Sequence, residues 1–196
     1  MVNRVLATFS RIDILVNNAG VAGEHIGPPL TNLTGEDWDH TYSVNVKAIF
    51  LMCKAVMPHM VNQKYGKVIN ISSVAGKRPS PTLPAYAASK AAVISFTDAL
   101  AQELGPYGIN VNAICPGIIW TPLWERFAGQ IAEQNPRLKG RGLTARGAFD
   151  AIVTQPGVRT EQLPDDIGML AVFLASDESR RISGEAISVA GPTPVS

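Results

Sequence analysis

Cysteine is scarce in this chain. Only Cys53 and Cys115 occur, and neither has a histidine or second cysteine at ligand spacing. That excludes a disulfide scaffold and offers no metal motif; both thiols lie in apolar segments and read as buried and free. Charge is sparse as well. With 17% charged residues and a formal net charge of +1, there is no broad field to attract nucleic acid, while 46% apolar residues is too many for disorder. No apolar run reaches the roughly 18 residues that span a bilayer, and the N-terminus lacks the apolar centre of a signal peptide. No membrane partner is therefore expected, and the expected compartment is cytoplasmic. Repeats and low-complexity tracts are also missing. The 196 residues suit one domain at roughly 150 residues apiece, so 1–196 is read as a single domain acting on a small molecule.

What is present alternates. Residues 1–10 space Val2, Val5, Leu6 and Phe9 like the last turns of an amphipathic helix. Ile12 to Val16 follows as a strand buried on both faces, closed by Asn17, Asn18, Ala19 and Gly20. Those small residues suit either close approach to a ligand or an ordinary turn. Thr34 to Glu36 forms an N-cap with acid in the first turn. The helix behind it carries Trp38, Tyr42, Val46, Ile49, Cys53, Val56 and Met60 as a core stripe. Asn45 lies one residue off that stripe, a buried polar group serving either structure or a site, and Pro58 is expected to kink or end the helix.

Gly66–Ile71 is a second strand, delivering Ser72 and Ser73 at its carboxyl end, and a helix over about 85–104 stops at Gly105, Pro106 and Gly108. Ile109 to Ile114 is the third strand, ending in Cys115, Pro116 and Gly117; a helix over 165–175 and a strand over 185–189 complete the series. Such alternation predicts an α/β fold with parallel strands and ligands at their carboxyl ends. Between about 120 and 163 the pattern loosens. Trp120, Trp124 and Phe127 precede a basic stretch with Arg137, Lys139, Arg141 and Arg146, which reads as a substrate loop or a solvated surface segment. Tyr86 and Lys90 stand one helical turn apart on one face, the separation at which an ammonium stabilises a phenolate.

NNAG at 17–20, Asn45, Ser73, Tyr86 with Lys90 as YxxxK, and PGIIWT at 116–121, in that order, resemble the short-chain dehydrogenase/reductases. The resemblance covers about residues 5–190. It implies a Rossmann-like doubly wound parallel sheet and an NAD(P)-dependent oxidoreductase interconverting a secondary alcohol and a ketone. Tyr86 is then the general acid/base and also contacts the cofactor, and Lys90 lowers the Tyr86 pKa and holds the nicotinamide ribose. Ser73 binds the substrate oxygen, and Asn45 keeps a water in a relay to Lys90. Asn18, Ala19 and Gly20 contact the adenosine half of NAD or NADP; Pro116, Gly117, Ile119 and Thr121 bracket the nicotinamide. Trp120, Trp124 and Phe127 line the space above it, which suits a small or moderately apolar substrate. The helices at about 35–60 and 85–104 imply a homo-oligomer. A Ser–Lys hydrolase reading leaves Asn45, NNAG and PGIIWT without a role.

The family's opening strand, its Gly-rich TGxxxGxG turn and the following βα unit have no counterpart in these residues. The chain therefore reads as truncated, lacking the first two βα units including the phosphate loop, with the NNAG strand left as an exposed edge. An inactive remnant or a partner-binding subunit is the alternative. At the other end, Ala190, Gly191 and Pro192 replace an Asp-Gly-Gly-like ending.

Overall fold

A computed structural model describes residues 1–23, 29–79, 82–134, 138–153 and 162–190. Four parallel strands, β1 (Ile14–Asn17), β2 (Gly66–Ile71), β3 (Ile109–Pro116) and β4 (Ala186–Val189), lie side by side in chain order. Helix α1 (Val2–Phe9) precedes β1, and α2 (Gly35–Tyr42) and α3 (Ala48–Gln63) connect β1 to β2. Helix α4 (Pro84–Leu104) connects β2 to β3, and α5 (Pro122–Gln134), α6 (Ala145–Val153) and α7 (Pro164–Ala175) lie between β3 and β4. Register aligns Asn17 with Asn70 and Asn70 with Ala113, so β1 and β2 end within a residue of each other and β3 runs on to Pro116 beside β4. This is the α/β, Rossmann-like arrangement expected from the sequence.

One sheet face contributes Leu15, Val68 and Val111 to a core with Ile49, Cys53, Val56 and Met60 of α3 and Val93, Leu100 and Leu104 of α4. On the other face, Ile69, Ile114 and Ile187 pack with Ile167, Leu170 and Leu174 of α7. Parallel strands need both faces covered, and β1 falls short of this. Its Ile14 and Val16 are 46% and 47% exposed, and among the described residues β1 pairs only with β2. The expectation of a strand buried on both faces is thus corrected: α3 covers the Leu15 face, and among the described residues no helix covers the face that carries Ile14 and Val16.

The stripe before α3 also differs from the sequence reading. A π-helical turn over Ser43–Lys47 joins α2 to α3. A wider turn absorbs the phase drift that steps of four accumulate on an α-helix. The buried line therefore runs through Asp37, Thr41, Asn45, Ile49 and Cys53, placing Asn45 within the stripe. Trp38, 38% exposed, stacks on Tyr42 at 5.2 Å outside it. Thr34 caps α2 as expected, accepting the Asp37 N–H at 3.1 Å. Pro58 does not end α3, which runs five residues further to Gln63. It stops at Lys64 in the left-handed conformation, φ 53°. Gly35–Gln63 is long and apolar enough to cross a membrane by length and composition, but one side of it is the core stripe just described.

Within 120–163 the described residues include two helices that the sequence pattern does not suggest. Helices α5 and α6 pack on each other through Ala128, Ala132, Leu138 and Ala148. Phe127 is buried at 4% exposure, so little of its ring is open to solvent. Trp120 and Trp124 meet the edge of Phe149 at 5.1 and 5.7 Å, and the Arg146 guanidinium lies 5.2 Å from the Trp120 ring. Arg137, Gly191 and Pro192 lie outside the described residues. Exposed β1 makes a direct prediction: Val16→Lys is expected to reduce concentration-dependent association in sedimentation velocity while leaving the circular dichroism unchanged, since that side chain already faces water.

Candidate active site

The site forms where β1, β2 and β3 end. Asn17, beside Asn70 in register, donates its amide to Asn70 Oδ1 at 2.8 Å, and Asn70 Nδ2 donates to Thr97 Oγ1 of α4 at 2.9 Å. A fully bonded polar chain thus ties two strand ends to α4 beneath the site. Above it, the chain turns at Ser72 and Ser73 into a short 3₁₀ turn, Val74–Gly76, with Ser73 Oγ accepting the Ala75 N–H at 3.1 Å. Helix α4 then opens with Pro84 in its first turn.

This geometry brings Ser73, Tyr86 and Lys90 together. Burial pushes the Tyr86 phenol above its ordinary value, while the neighbouring Ser73 hydroxyl pulls it back. The Lys90 ammonium lies 5.6 Å from the centre of the Tyr86 ring and donates to the Ile71 carbonyl at 2.8 Å. Lys90 is 3% exposed, and burial lowers its pKa to about 8.

Asn45 joins them through its neighbours. Its Oδ1 accepts the Val21 N–H at 2.8 Å; its Nδ2 donates to the Val21 carbonyl at 2.8 Å and to Ser89 Oγ at 2.9 Å. Ser89 in turn donates to the Tyr86 carbonyl at 2.8 Å. Asn45 is therefore a strut between the NNAG loop and the first turn of α4. A Cβ on Gly20 would stand 3.3 Å from both Asn45 Oδ1 and Lys90 Nζ, so glycine keeps the space in front of them open.

Asn18, Ala19 and Gly20 are exposed on the β1 side. Pro116 ends β3, Gly117 donates its N–H to the Val189 carbonyl at 2.8 Å, and Ile119 bridges to Gln162. Thr121 accepts from the Trp124 N–H at 3.4 Å, capping α5. Sequence reasoning gave no role to Ser72, Gly76, Ser89 or Val21. Ser89 was the legible one, three residues beyond Tyr86 on the helix face that looks toward Asn45. Cys53 and Cys115 are free and buried. Among the described residues, no group of three His, Cys, Asp or Glu side chains could hold a metal.

The residues present fit the nicotinamide-ribose half of a dinucleotide. The space kept open by Gly20 lies against an ammonium that spends one of its three N–H groups on Ile71, leaving donors for ribose hydroxyls.

Comparison with known proteins agrees. The family model described as short chain dehydrogenase matches residues 1–131. The 3-oxoacyl-[acyl-carrier-protein] reductase FabG of Thermotoga maritima is 36% identical over 191 residues, 97% of this chain and 70% of that protein. The (2S)-[(R)-hydroxy(phenyl)methyl]succinyl-CoA dehydrogenase subunit BbsD of Thauera aromatica is 40% identical, covering 97% and 68%. The crystal structure of NAD⁺-bound xylitol dehydrogenase superposes with a TM-score of 0.85 at 30% identity, over 97% of this chain and 72% of that one. The chain belongs to the short chain dehydrogenase family, whose members are NAD(P)-linked oxidoreductases.

Burying the Lys90 charge has a measurable cost. Its pKa falls from 10.5 to about 8 on folding, so between those values the unfolded chain binds more protons and stability rises with pH. Lys90→Met is expected to raise the unfolding free energy near pH 7, by up to about 3 kcal/mol, and to abolish that rise in urea titrations between pH 8 and 10.

Proposed function

We propose that this chain interconverts a small or moderately apolar secondary alcohol and its ketone with NAD or NADP, Tyr86 acting as general acid/base. The observation that carries this reading is the convergence of Ser73, Tyr86 and Lys90 at the strand ends, with Lys90 buried beside the Tyr86 ring. The nicotinamide supplies or accepts the hydride. Every other element of the reaction belongs to the chain. In reduction, Ser73 holds the carbonyl oxygen and Tyr86, kept protonated by its raised pKa, gives its proton to that oxygen as charge develops. In oxidation the phenolate takes the proton, and the Lys90 charge favours that form. Lys90 also holds ribose hydroxyls, and Asn45 keeps the Val21 loop and the α4 turn in register, with a water relay toward Lys90. Asn18, Ala19 and Gly20 face the adenosine side; Pro116, Gly117, Ile119 and Thr121 bracket the ring.

Residues 1–196 act as one Rossmann-type domain, with Trp120 and Trp124 in the substrate segment at about 120–163. The chain works in the cytoplasm as a homo-oligomer through the helices at about 35–60 and 85–104. The aromatic groove of Trp38, Tyr42, Val46 and Phe50, about 640 Å³, supports that face. The exposed Ile14 and Val16 favour one other reading, a chain that binds a partner along β1 without turnover.

Saturable NADH or NADPH binding at micromolar concentration is expected, and its absence favours the partner-binding reading. Tyr86→Phe should lower turnover about 1,000-fold while changing cofactor affinity far less; a fully active variant would refute the assigned role. Reductive turnover should fall as pH rises through about 8, where Lys90 loses its charge. Light scattering at micromolar concentration is expected to show more than one subunit.

A further inference from the structure

Ser73 and Tyr86 come from separate segments, the end of β2 and the first turn of α4. Some contact must therefore set how deeply one segment seats on the other. Ser72 and Gly76 make that contact, and both make it on the same peptide group. Ser72, 2% exposed, donates its hydroxyl to the Lys90 carbonyl at 2.8 Å. Gly76 lies so close that a Cβ there would stand 2.7 Å from the Lys90 carbonyl carbon and 2.8 Å from both its oxygen and the Ala91 nitrogen. These are backbone atoms inside α4, locked by helix hydrogen bonds, with little room to yield. A methyl group on Gly76 lifts the turn instead.

The displacement reaches Ser73 directly. The Gly76 N–H donates to the Ser73 carbonyl at 3.0 Å, and Ser73 Oγ holds the Ala75 N–H at 3.1 Å, so turn and serine move as a unit. We propose that Ser72 and Gly76 are positioning residues that clamp the Ser73 turn onto the Lys90–Ala91 peptide and thereby hold Ser73 within hydrogen-bond reach of the Tyr86 hydroxyl. Ser72 supplies the attraction, and the bare Cα of Gly76 sets the distance. The catalytic meaning of this clamp rests on Ser73 and Tyr86 being the reacting pair; the geometry does not.

The test reads the hydrogen bond without turnover. In the full chain labelled with ¹³Cζ-tyrosine, the Tyr86 resonance is assigned by its loss in Tyr86→Phe. Ser73→Ala removes the bond and gives the reference shift. Gly76→Ala is expected to move the resonance to that same position, and Gly76→Ala combined with Ser73→Ala to move it no further, as for two changes acting through one contact. Ser72→Ala, which adds no bulk, should move it part of the way, and it decides the matter if Gly76→Ala does not fold. A Tyr86 resonance unmoved in Ser72→Ala and in folded Gly76→Ala overturns the clamp, as does a further shift in the double variant. Because ketone reduction is not the readout, a wild-type chain that fails to reduce ketones overturns the proposed activity and leaves the clamp standing.

Discussion

A buried ammonium is the constraint on which the site is built. Lys90 is nearly inaccessible and has one hydrogen bond among the described residues, to the Ile71 carbonyl at the end of β2. An ion so placed is expensive, and its pKa has fallen to about 8 as a result. Everything that keeps it there also shapes the reaction centre. The Ser73 turn covers the peptide that follows its Cα, and Gly20 lies beside its head. Loosening any of these lets water in and lets the lysine regain its ordinary basicity, at the expense of the field beside Tyr86. Stability and chemistry are opposed at this residue, as is common where a charge is held out of water for use.

Asn45 shows how the surrounding frame meets that requirement. Its amide spans two segments, the loop after β1 and the opening of α4, through Val21 and Ser89. It reaches both because the π-helical turn Ser43–Lys47 rotates it inward. The same rotation leaves Trp38 and Tyr42 outside. One irregular turn thus both builds the strut and exposes an aromatic face.

Much of the fold was legible from periodicity. β2, the third strand and α4 lie within a residue or two of their expected bounds, because β-branched runs and the Gly-Pro-Tyr-Gly stop after Leu104 act locally. The misplaced features all depend on neighbours. β1 looked buried on both faces from Ile14, Leu15 and Val16, but burial belongs to what lies across the sheet, and nothing described covers Ile14. Phe127 looked like a pocket wall, yet it is almost wholly buried in the folded chain, which its own spacing does not reveal. Pro58 sits in a long helix whose packing against the core outweighs one missing hydrogen bond.

The site divides along the same line. Sequence alone determined its chemistry: a Tyr and a Lys one turn apart, a serine at a strand end and the family those motifs mark, since helix spacing and strand ends follow from local order. Only the tertiary structure decided that Lys90 is dehydrated, that Asn45 bonds to Val21 and Ser89, and that Ser72 and Gly76 seat on a single peptide. Those facts depend on distances between segments far apart in the chain, set by packing that no local pattern records.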